Sequence, residues 1–300
     1  MSAKSISTIS TKIRSHGRLA AAAVGLAGVA ALAMAVSTTA PAFAASTGTA
    51  TEGVDVLGTP HNWIATGWNV HLLGQASPAT AAHFFNTAGS YGTGGDPTSS
   101  PVMDGMATNP ALVYFSYAKF ASDLQAGAVK YPYRWVSYDP EQWSQTPLNE
   151  QQDPRTYLRM FAQLAHAHGY RVIEAPGRDL GLVAGAACPK ASNQSLDKWY
   201  VACGVAGMAA AYSDVYVLQN QVNTTNLSEY DWLFNNAKAQ ALAAIPRIVV
   251  DSELSTNYGT PTQMATAAKS VAADGFYLSI TSSTISQTTQ FLQKMQAAGY

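Results

Sequence analysis

Five carboxylate side chains stand at the ends of predicted strands in the second half of the chain. They are Asp139, Glu141, Glu174, Asp251 and Glu253. Residues two apart on an extended strand point to the same face, so Asp139 and Glu141 are expected to lie side by side. Two neighbouring carboxylates repel each other, and one of them can stay protonated near neutral pH. A protonated carboxyl group beside an ionised one is what glycoside hydrolysis requires of its general acid.

Each candidate residue has an expected role. Glu141 is the predicted general acid, Asp139 assists it, and Glu174 with Glu253 forms a second possible catalytic pair. The predicted substrate-binding residues come from the same strand ends and the loops that follow them: Gln219, Gln221, Asp251, Trp143 and Arg178. Aromatic rings in such loops, including those of Trp199 and Tyr258, can stack on sugar rings or can pack beneath the loops.

A structural interpretation competes with each catalytic one. The segment from Asp139 to Glu141 can be a plain strand-to-loop turn. Glu174 and Glu253 can be rim residues that form ion pairs with Arg178 or Arg155. The two interpretations differ in one observable: a catalytic site requires that several of these carboxylates converge in one cleft.

One strand–helix–strand unit positions the first of these carboxylates. Residues 133–138 are aromatic and β-branched and predict a strand, which Pro140 ends because proline cannot donate a hydrogen bond to a sheet. Asp153 and Pro154 predict a helix start, and Gly169 predicts the end of that helix. A second strand at 170–175 follows. This order implies parallel strands joined by a right-handed crossover.

The whole chain predicts an α/β fold of the (β/α)8 TIM-barrel type, as a single domain with long loops in its N-terminal half. Strands are predicted near residues 54, 69, 112, 134, 171, 215, 247 and 276, and helices alternate with them from residue 133 onward. Residues 74–110 are rich in small and polar side chains and predict a long loop with one short helix at 78–86. An open, doubly wound sheet is the alternative architecture.

Residues 1–44 predict a secretory signal peptide, so the barrel domain is expected over 45–300. Four basic residues precede an apolar run at 19–36, and Ala42-Phe43-Ala44 has the small-x-small pattern of a cleavage site. An uncleaved anchor is the alternative. Removal of this segment leaves 13 Lys and Arg against 18 Asp and Glu. Such a mildly acidic chain disfavours nucleic acid or an anionic membrane as a partner.

The two cysteines, Cys188 and Cys203, are expected to form a disulfide because the protein is predicted to be exported. Two free thiols are the alternative. Two cysteines without a nearby histidine do not predict a zinc site, and neither a metal nor another cofactor is expected.

The succession of motifs in the distal half resembles a known enzyme family. The segments SYDPEQW, YRVIEAPG, DVYVLQNQ, PRIVVDSEL and DGFYLSI, within residues 133–298, are similar in order to family-18 glycoside hydrolases, in particular the plant class III chitinases. That family has a (β/α)8 fold and ends its fourth strand in D-x-x-D-x-D-x-E. The resemblance implies that Glu141 protonates the glycosidic oxygen and that Asp139 orients an N-acetyl group of the substrate.

The chain departs from this family at three places. Ser137 stands where the middle Asp of the motif is expected, and Arg134 stands where the first is expected. Residues 219–221, Gln-Asn-Gln, replace the Tyr that ends the sixth strand of the family. The chain also resembles a group of secreted actinobacterial barrel proteins with a YDPE-W…TP…EQ-DP pattern, for which no activity is implied.

The sequence therefore predicts a secreted, monomeric glycoside hydrolase that acts on an extracellular polysaccharide. The alternative is a non-catalytic barrel that binds a glycan or another extracellular ligand. Loss of the middle Asp of the motif at Ser137 favours the alternative.

Overall fold

The structure is a computed structural model that describes residues 61–300. These residues form a closed barrel of eight parallel strands in the order β1-β2-β3-β4-β5-β6-β7-β8. The predicted TIM-type α/β fold is confirmed, and the doubly wound alternative is excluded because β1 pairs with both β2 and β8. The predicted signal peptide at 1–44 and the strand predicted at 54–57 lie outside the described residues.

The strands are short and evenly distributed along the chain. They are β1 (Asn62–Thr66), β2 (Ser90–Gly94), β3 (Asn109–Tyr114), β4 (Trp135–Tyr138), β5 (Arg171–Glu174), β6 (Val215–Leu218), β7 (Val249–Ser255) and β8 (Gly275–Ser279). The helices are α1 (Gly67–Ala76), α2 (Pro78–Phe85), α3 (Tyr117–Gln125), α4 (Leu148–Gln152), α5 (Pro154–Ala167), α6 (Leu196–Ala202), α7 (Val205–Ala210), α8 (Leu227–Ala244), α9 (Pro261–Ser270) and α10 (Ile285–Ala297). None of these helices is long and apolar enough to cross a membrane.

The local signals around α5 act as predicted. The Asp153 carboxylate accepts a hydrogen bond from Thr156 N at 3.2 Å and Pro154 is the first helical residue. Gly169 follows the helix with φ of 80°, a left-handed conformation that glycine adopts without a steric penalty. These signals set the bounds of α5 and so fix where β5 can begin.

The N-terminal third differs from the sequence prediction. Residues 68–73, predicted as a strand, lie in α1, where Thr66 caps the helix by accepting from Asn69 N at 3.2 Å. The segment predicted as one long loop at 74–110 contains the helix α2 as expected, but also the strand β2. The sequence of β2, SYGTG, lacks an apolar pattern, and its buried position comes from pairing with β1 and β3.

Further along the chain, the predicted alternation of strands and helices is confirmed, with two changes. The strand predicted at 247–250 extends over Val249–Ser255, so Asp251 and Glu253 lie within β7 rather than after it. The predicted loop at 177–205 also contains α6 and a 3₁₀ helix at Arg178–Leu182. Cys188 and Cys203 form the predicted disulfide, with 6.1 Å between their Cα atoms.

Alternate residues of the strands fill two separate apolar clusters. The inner cluster occupies the barrel interior and consists of Ile64, Tyr91, Ala111, Trp135, Ile173, Ala175, Val215 and Val217. The strand residues between them, such as Ala65, Val136 and Tyr216, point outward and join the larger cluster beneath the helices. Because side chains alternate along a strand, the parity of a residue decides whether it faces the barrel interior or the helices.

The first and last described segments meet where the barrel closes. Asn62 pairs with Gly275, and a Cβ on residue 275 would lie 2.5 Å from the Asn62 Cβ, so glycine is required there. The ring of His61 stacks on that of Tyr300 at 4.5 Å, and His83 Nε2 lies 2.9 Å from the Tyr300 carbonyl oxygen.

Candidate active site

A cleft of about 840 Å³ opens at the carboxyl ends of the strands. Its floor is made by inner-face residues such as Ile173, Ala175 and Val217, and its walls come from the loops that follow the strands. Active sites of TIM barrels lie at this end of the barrel. Of the predicted site residues, the cleft brings together Asp139, Glu141, Glu253, Gln219, Gln221 and Trp143.

The Gln219 amide holds together the two carboxylates that follow β4. Its Nε2 lies 2.8 Å from Asp139 Oδ1, 2.9 Å from Glu141 Oε1 and 3.0 Å from the Ala175 carbonyl oxygen. Asp139 and Glu141 therefore share one donor, and the backbone of residue 175 fixes the orientation of that donor. These contacts place Asp139 and Glu141 side by side, as their spacing in the sequence predicts.

The surroundings of Asp139 and Glu141 favour the protonated forms of their carboxyl groups. Burial raises the pKa of Glu141, the Asp179 carboxylate raises it further, and the Gln219 hydrogen bond opposes this rise. Burial and the charge of Glu141 raise the pKa of Asp139 well above its usual range. Such shifts are produced when carboxylates leave bulk water and face one another. Both shifts favour the protonated form of the pair, which is the form that a general acid requires.

Glu253 lies in the same cleft on a different wall. It is 6 % exposed and belongs to β7, three strands from β4 in a ring of eight. Burial raises the pKa of Glu253 well above its usual range, and the charges of Asp139 and Glu141 add to this shift. The cleft therefore holds three carboxylates that influence one another and that come from two separate parts of its lining.

Aromatic rings surround the carboxylates. Trp143 donates from Nε1 to Thr146 Oγ1 at 2.9 Å and packs edge-on against Phe115 with 4.7 Å between ring centroids. Trp68 and Tyr258 also line the cleft and are 57 % and 46 % exposed. Trp199, the other aromatic residue considered from the sequence, is instead buried beneath the disulfide loop, where it donates to the Cys188 carbonyl oxygen at 2.8 Å.

Glu174 lies outside the cleft. Its register partners are Tyr138 and Tyr216, which face the helices, so Glu174 points outward from the barrel. The side chain is fully buried, and neither carboxylate oxygen has a hydrogen-bond partner among the described residues. Burial raises the pKa of Glu174 well above its usual range and so favours the uncharged acid. The alternative pair of Glu174 with Glu253 is not brought together.

Asp251 and Arg178 also lie outside the cleft lining. Asp251 is fully buried in the barrel interior, one inward position deeper than Glu253, beside Gly275. The Arg178 guanidinium forms an ion pair with Asp197, and Asn223 Nδ2 donates to the same carboxylate at 2.9 Å. Within residues 61–300, neither Glu174 nor Glu253 forms an ion pair, so the interpretation of these two as paired rim residues does not hold.

Sequence reasoning missed Tyr277. It lies on β8, faces the cleft, and has its pKa raised by burial and by the charges of Asp139 and Glu253. The side chain of Thr93, from the unpredicted strand β2, opposes this rise through a hydrogen bond with Tyr277. The alternation of Gly275, Tyr277 and Ser279 along one strand face was the signal that could have identified it.

Within the described part of the chain, no group of three or more His, Cys, Asp or Glu side chains is arranged to hold a metal ion. Comparison with known proteins gave no assignment. No family model matches the chain, and no curated protein sequence matches it significantly. The chemistry of the cleft residues is therefore the basis for a proposed function.

Proposed function

We propose that the protein is a secreted glycoside hydrolase that acts on an extracellular polysaccharide with Glu141 as general acid. The observation that carries the proposal is the shared Gln219 donor, which holds Asp139 and Glu141 together at the mouth of the barrel. The raised pKa of Glu141 leaves it able to give a proton to a glycosidic oxygen. The disulfide is consistent with export.

Three of the carboxylates that line the cleft have separate roles in this reaction. Glu141 donates its proton to the leaving oxygen, and Asp139 stabilises that proton and the orientation of Glu141 through their common partner Gln219. Glu253 faces the sugar from another wall and is the second carboxylate that glycoside hydrolysis requires. The separation of Glu141 and Glu253 around a bound sugar then decides whether the anomeric configuration is retained or inverted.

The resemblance to family-18 glycoside hydrolases supports the role of Glu141 and leaves one position different. Where that family has an Asp, Ser137 lines the cleft floor. A hydroxyl cannot share a proton with Asp139 as a carboxylate can, so Gln219 is the group that holds Asp139 in place. This substitution is also the observation that favours the second candidate function, a barrel that binds a glycan without cleaving it.

The test is release of reducing sugars from a broad panel of polysaccharides by protein collected from the medium of an expressing host, with Glu141→Gln assayed in parallel. We expect activity on at least one polymer and a loss of about 100-fold or more in the variant, the size of effect that removal of a general acid produces. Binding of a polymer with no release of reducing ends by either protein would instead support the non-catalytic function.

A further inference from the structure

The cleft is lined by acidic side chains without a compensating basic side chain. Asp96, Asp139, Glu141 and Glu253 line it, and none of the described residues that form its lining is Lys, Arg or His. Arg178 acts on Glu253 through its field, but its guanidinium pairs with Asp197 outside the lining. A bound molecule would therefore meet carboxylates and no protein cation.

The carboxylates of the cleft raise one another's pKa values. Glu141 raises the pKa of Asp139, and both raise the pKa of Glu253. At the rim, hydrogen bonds from Ser99 and Thr98 lower the pKa of Asp96 to about 2, so this group stays ionised. A ligand that brings positive charge relieves the mutual repulsion, a neutral ligand leaves it unchanged, and an anionic ligand increases it.

The aromatic walls suit the same kind of ligand. Trp68, Trp143 and Tyr258 line the cleft, and two of these side chains are more than 40 % exposed. Aromatic faces attract cations as well as the C–H groups of sugars, and tryptophan does so most strongly.

We propose that the cleft selects a cationic amino sugar, a hexosamine polymer with free amines, over neutral and acidic glycans. A sugar ammonium group would donate charge-assisted hydrogen bonds to Asp139 or Glu253 while the ring stacks on the aromatic walls. This inference rests on the proposed function, because it names the substrate class of the same site. It differs from the expectation drawn from the family resemblance, in which Asp139 orients a neutral N-acetyl group.

The test compares matched oligomers at about pH 6, where a sugar amine is protonated. Glucosamine, N-acetylglucosamine and galacturonic acid hexamers are titrated into Glu141→Gln protein by calorimetry, so that cleavage does not consume the ligand. We expect the glucosamine hexamer to bind at least about tenfold more tightly than the acetylated one, a difference of about 1.4 kcal/mol. The galacturonic acid hexamer is expected to bind least. Higher salt should weaken only the binding of the amine oligomer.

A second substitution assigns the effect to the cleft. Adding Glu253→Gln should weaken binding of the glucosamine hexamer about fivefold or more, and by a larger factor than binding of the acetylated hexamer. Asp231→Asn is the matched control, because Asp231 lies on α8, is absent from the cleft lining and accepts a hydrogen bond from Ser270. It should change neither affinity. If Glu253→Gln does not fold, the comparison of oligomers and of salt concentrations in the Glu141→Gln protein decides the question.

Equal or tighter binding of the acetylated hexamer, or no binding of any hexamer, overturns the inference. Its failure is separable from failure of the proposed function. Cleavage of a neutral polymer without preference for amines would support the hydrolase function and contradict the amine selectivity. Tight, salt-sensitive binding of the glucosamine hexamer without cleavage of any polymer would support the amine selectivity and contradict the hydrolase function.

Discussion

The inner and outer faces of the barrel wall hold buried carboxylates in different ways. On the inner face, Asp139 and Glu141 border a cleft and share the amide of Gln219. On the outer face, Glu174 lies one residue before the inward-facing Ala175, fully buried and without a hydrogen-bond partner among the described residues. All three residues lie at the carboxyl end of a strand, so strand parity, rather than closeness to the strand end, decides which carboxylates can reach a substrate.

A fourth carboxylate shows that a buried side chain outside the barrel interior can also have its hydrogen-bonding capacity satisfied. Glu150 on α4 is fully buried and accepts hydrogen bonds from the hydroxyls of Ser116 and Tyr138 and from the backbone N–H groups of Tyr117 and Ala118, at 2.7 to 3.0 Å. The two N–H groups belong to the first turn of α3, where a negative charge is favourable. Glu150 therefore stabilises the fold, whereas Glu174 contributes no such contact.

The largest expected effect compares the same substitution on the two faces. Glu141→Gln should lower the rate of glycan hydrolysis about 100-fold or more, because the variant has no acidic proton to give. Glu174→Gln should leave it within about twofold, since that side chain does not line the cleft. Initial rates on the polymer that the protein cleaves best measure both. A larger loss for Glu174→Gln than for Glu141→Gln would contradict the assignment of the site.

The next effect concerns stability on the outer face. Glu150→Ala should lower the free energy of unfolding by about 2–4 kcal/mol, because four donors lose a buried charged acceptor. Glu174→Gln should not lower it, because an uncharged amide replaces a carboxyl group whose ionised form is disfavoured by burial. Urea denaturation followed by tryptophan fluorescence measures both. Similar losses in the two variants would mean that Glu174 has a partner after all.

A smaller effect appears in the pH dependence of stability. The folded-state pKa of Glu174 lies well above its unfolded-state value, so the folded state binds the extra proton. Its contribution to stability is complete below the unfolded pKa and falls as pH rises toward the folded pKa, by at most about 1.4 kcal/mol per pH unit. The Glu174→Gln variant should show a correspondingly flatter decline of unfolding free energy as pH rises above the unfolded-state pKa of a glutamate, about 4.3. Parallel pH profiles would contradict this prediction.

The smallest effect tests the shared donor of the inner face. The hydrogen bond from Gln219 lowers the pKa of Glu141, so Gln219→Met should raise that pKa. The alkaline limb of the pH profile of kcat/KM should then move upward by up to about one pH unit. A downward shift, or none, would show that Gln219 does not act on the acid.

The distal two thirds of the fold could be predicted because its local signals agree with its tertiary structure. Asp153, Pro154 and Gly169 bound α5, and apolar runs mark β4 to β8. The N-terminal third could not be predicted in the same way. The sequence of β2 contains two glycines in five residues, and α1 carries Trp68 and Val70, which are common in strands. In these elements, pairing with neighbouring strands and packing against the barrel override local preference.

The candidate site was predictable where it depends on one strand and not where it depends on several. The spacing of Asp139 and Glu141 is visible in the sequence, and so is the polar end of β6 at Gln219. The outward direction of Glu174 depends on the register of β5 with its neighbours, and the depth of Asp251 depends on the length of β7. Tyr277 was not predicted because a tyrosine within an apolar strand is also typical of a core residue. Only the barrel geometry places its side chain at the cleft.

The pairing of β1 with β8 also has a kinetic consequence. Strand β1 gains its second neighbour only after β8 has been synthesised, and the contacts of His61 and His83 with Tyr300 form at that same stage. The ring that aligns the cleft carboxylates thus closes late, through contacts between residues more than 200 positions apart, and such long-range contacts slow folding. A chain still emerging from the ribosome would have an open sheet with an exposed strand edge, and a finished cleft would exist only once the last strand had joined the first.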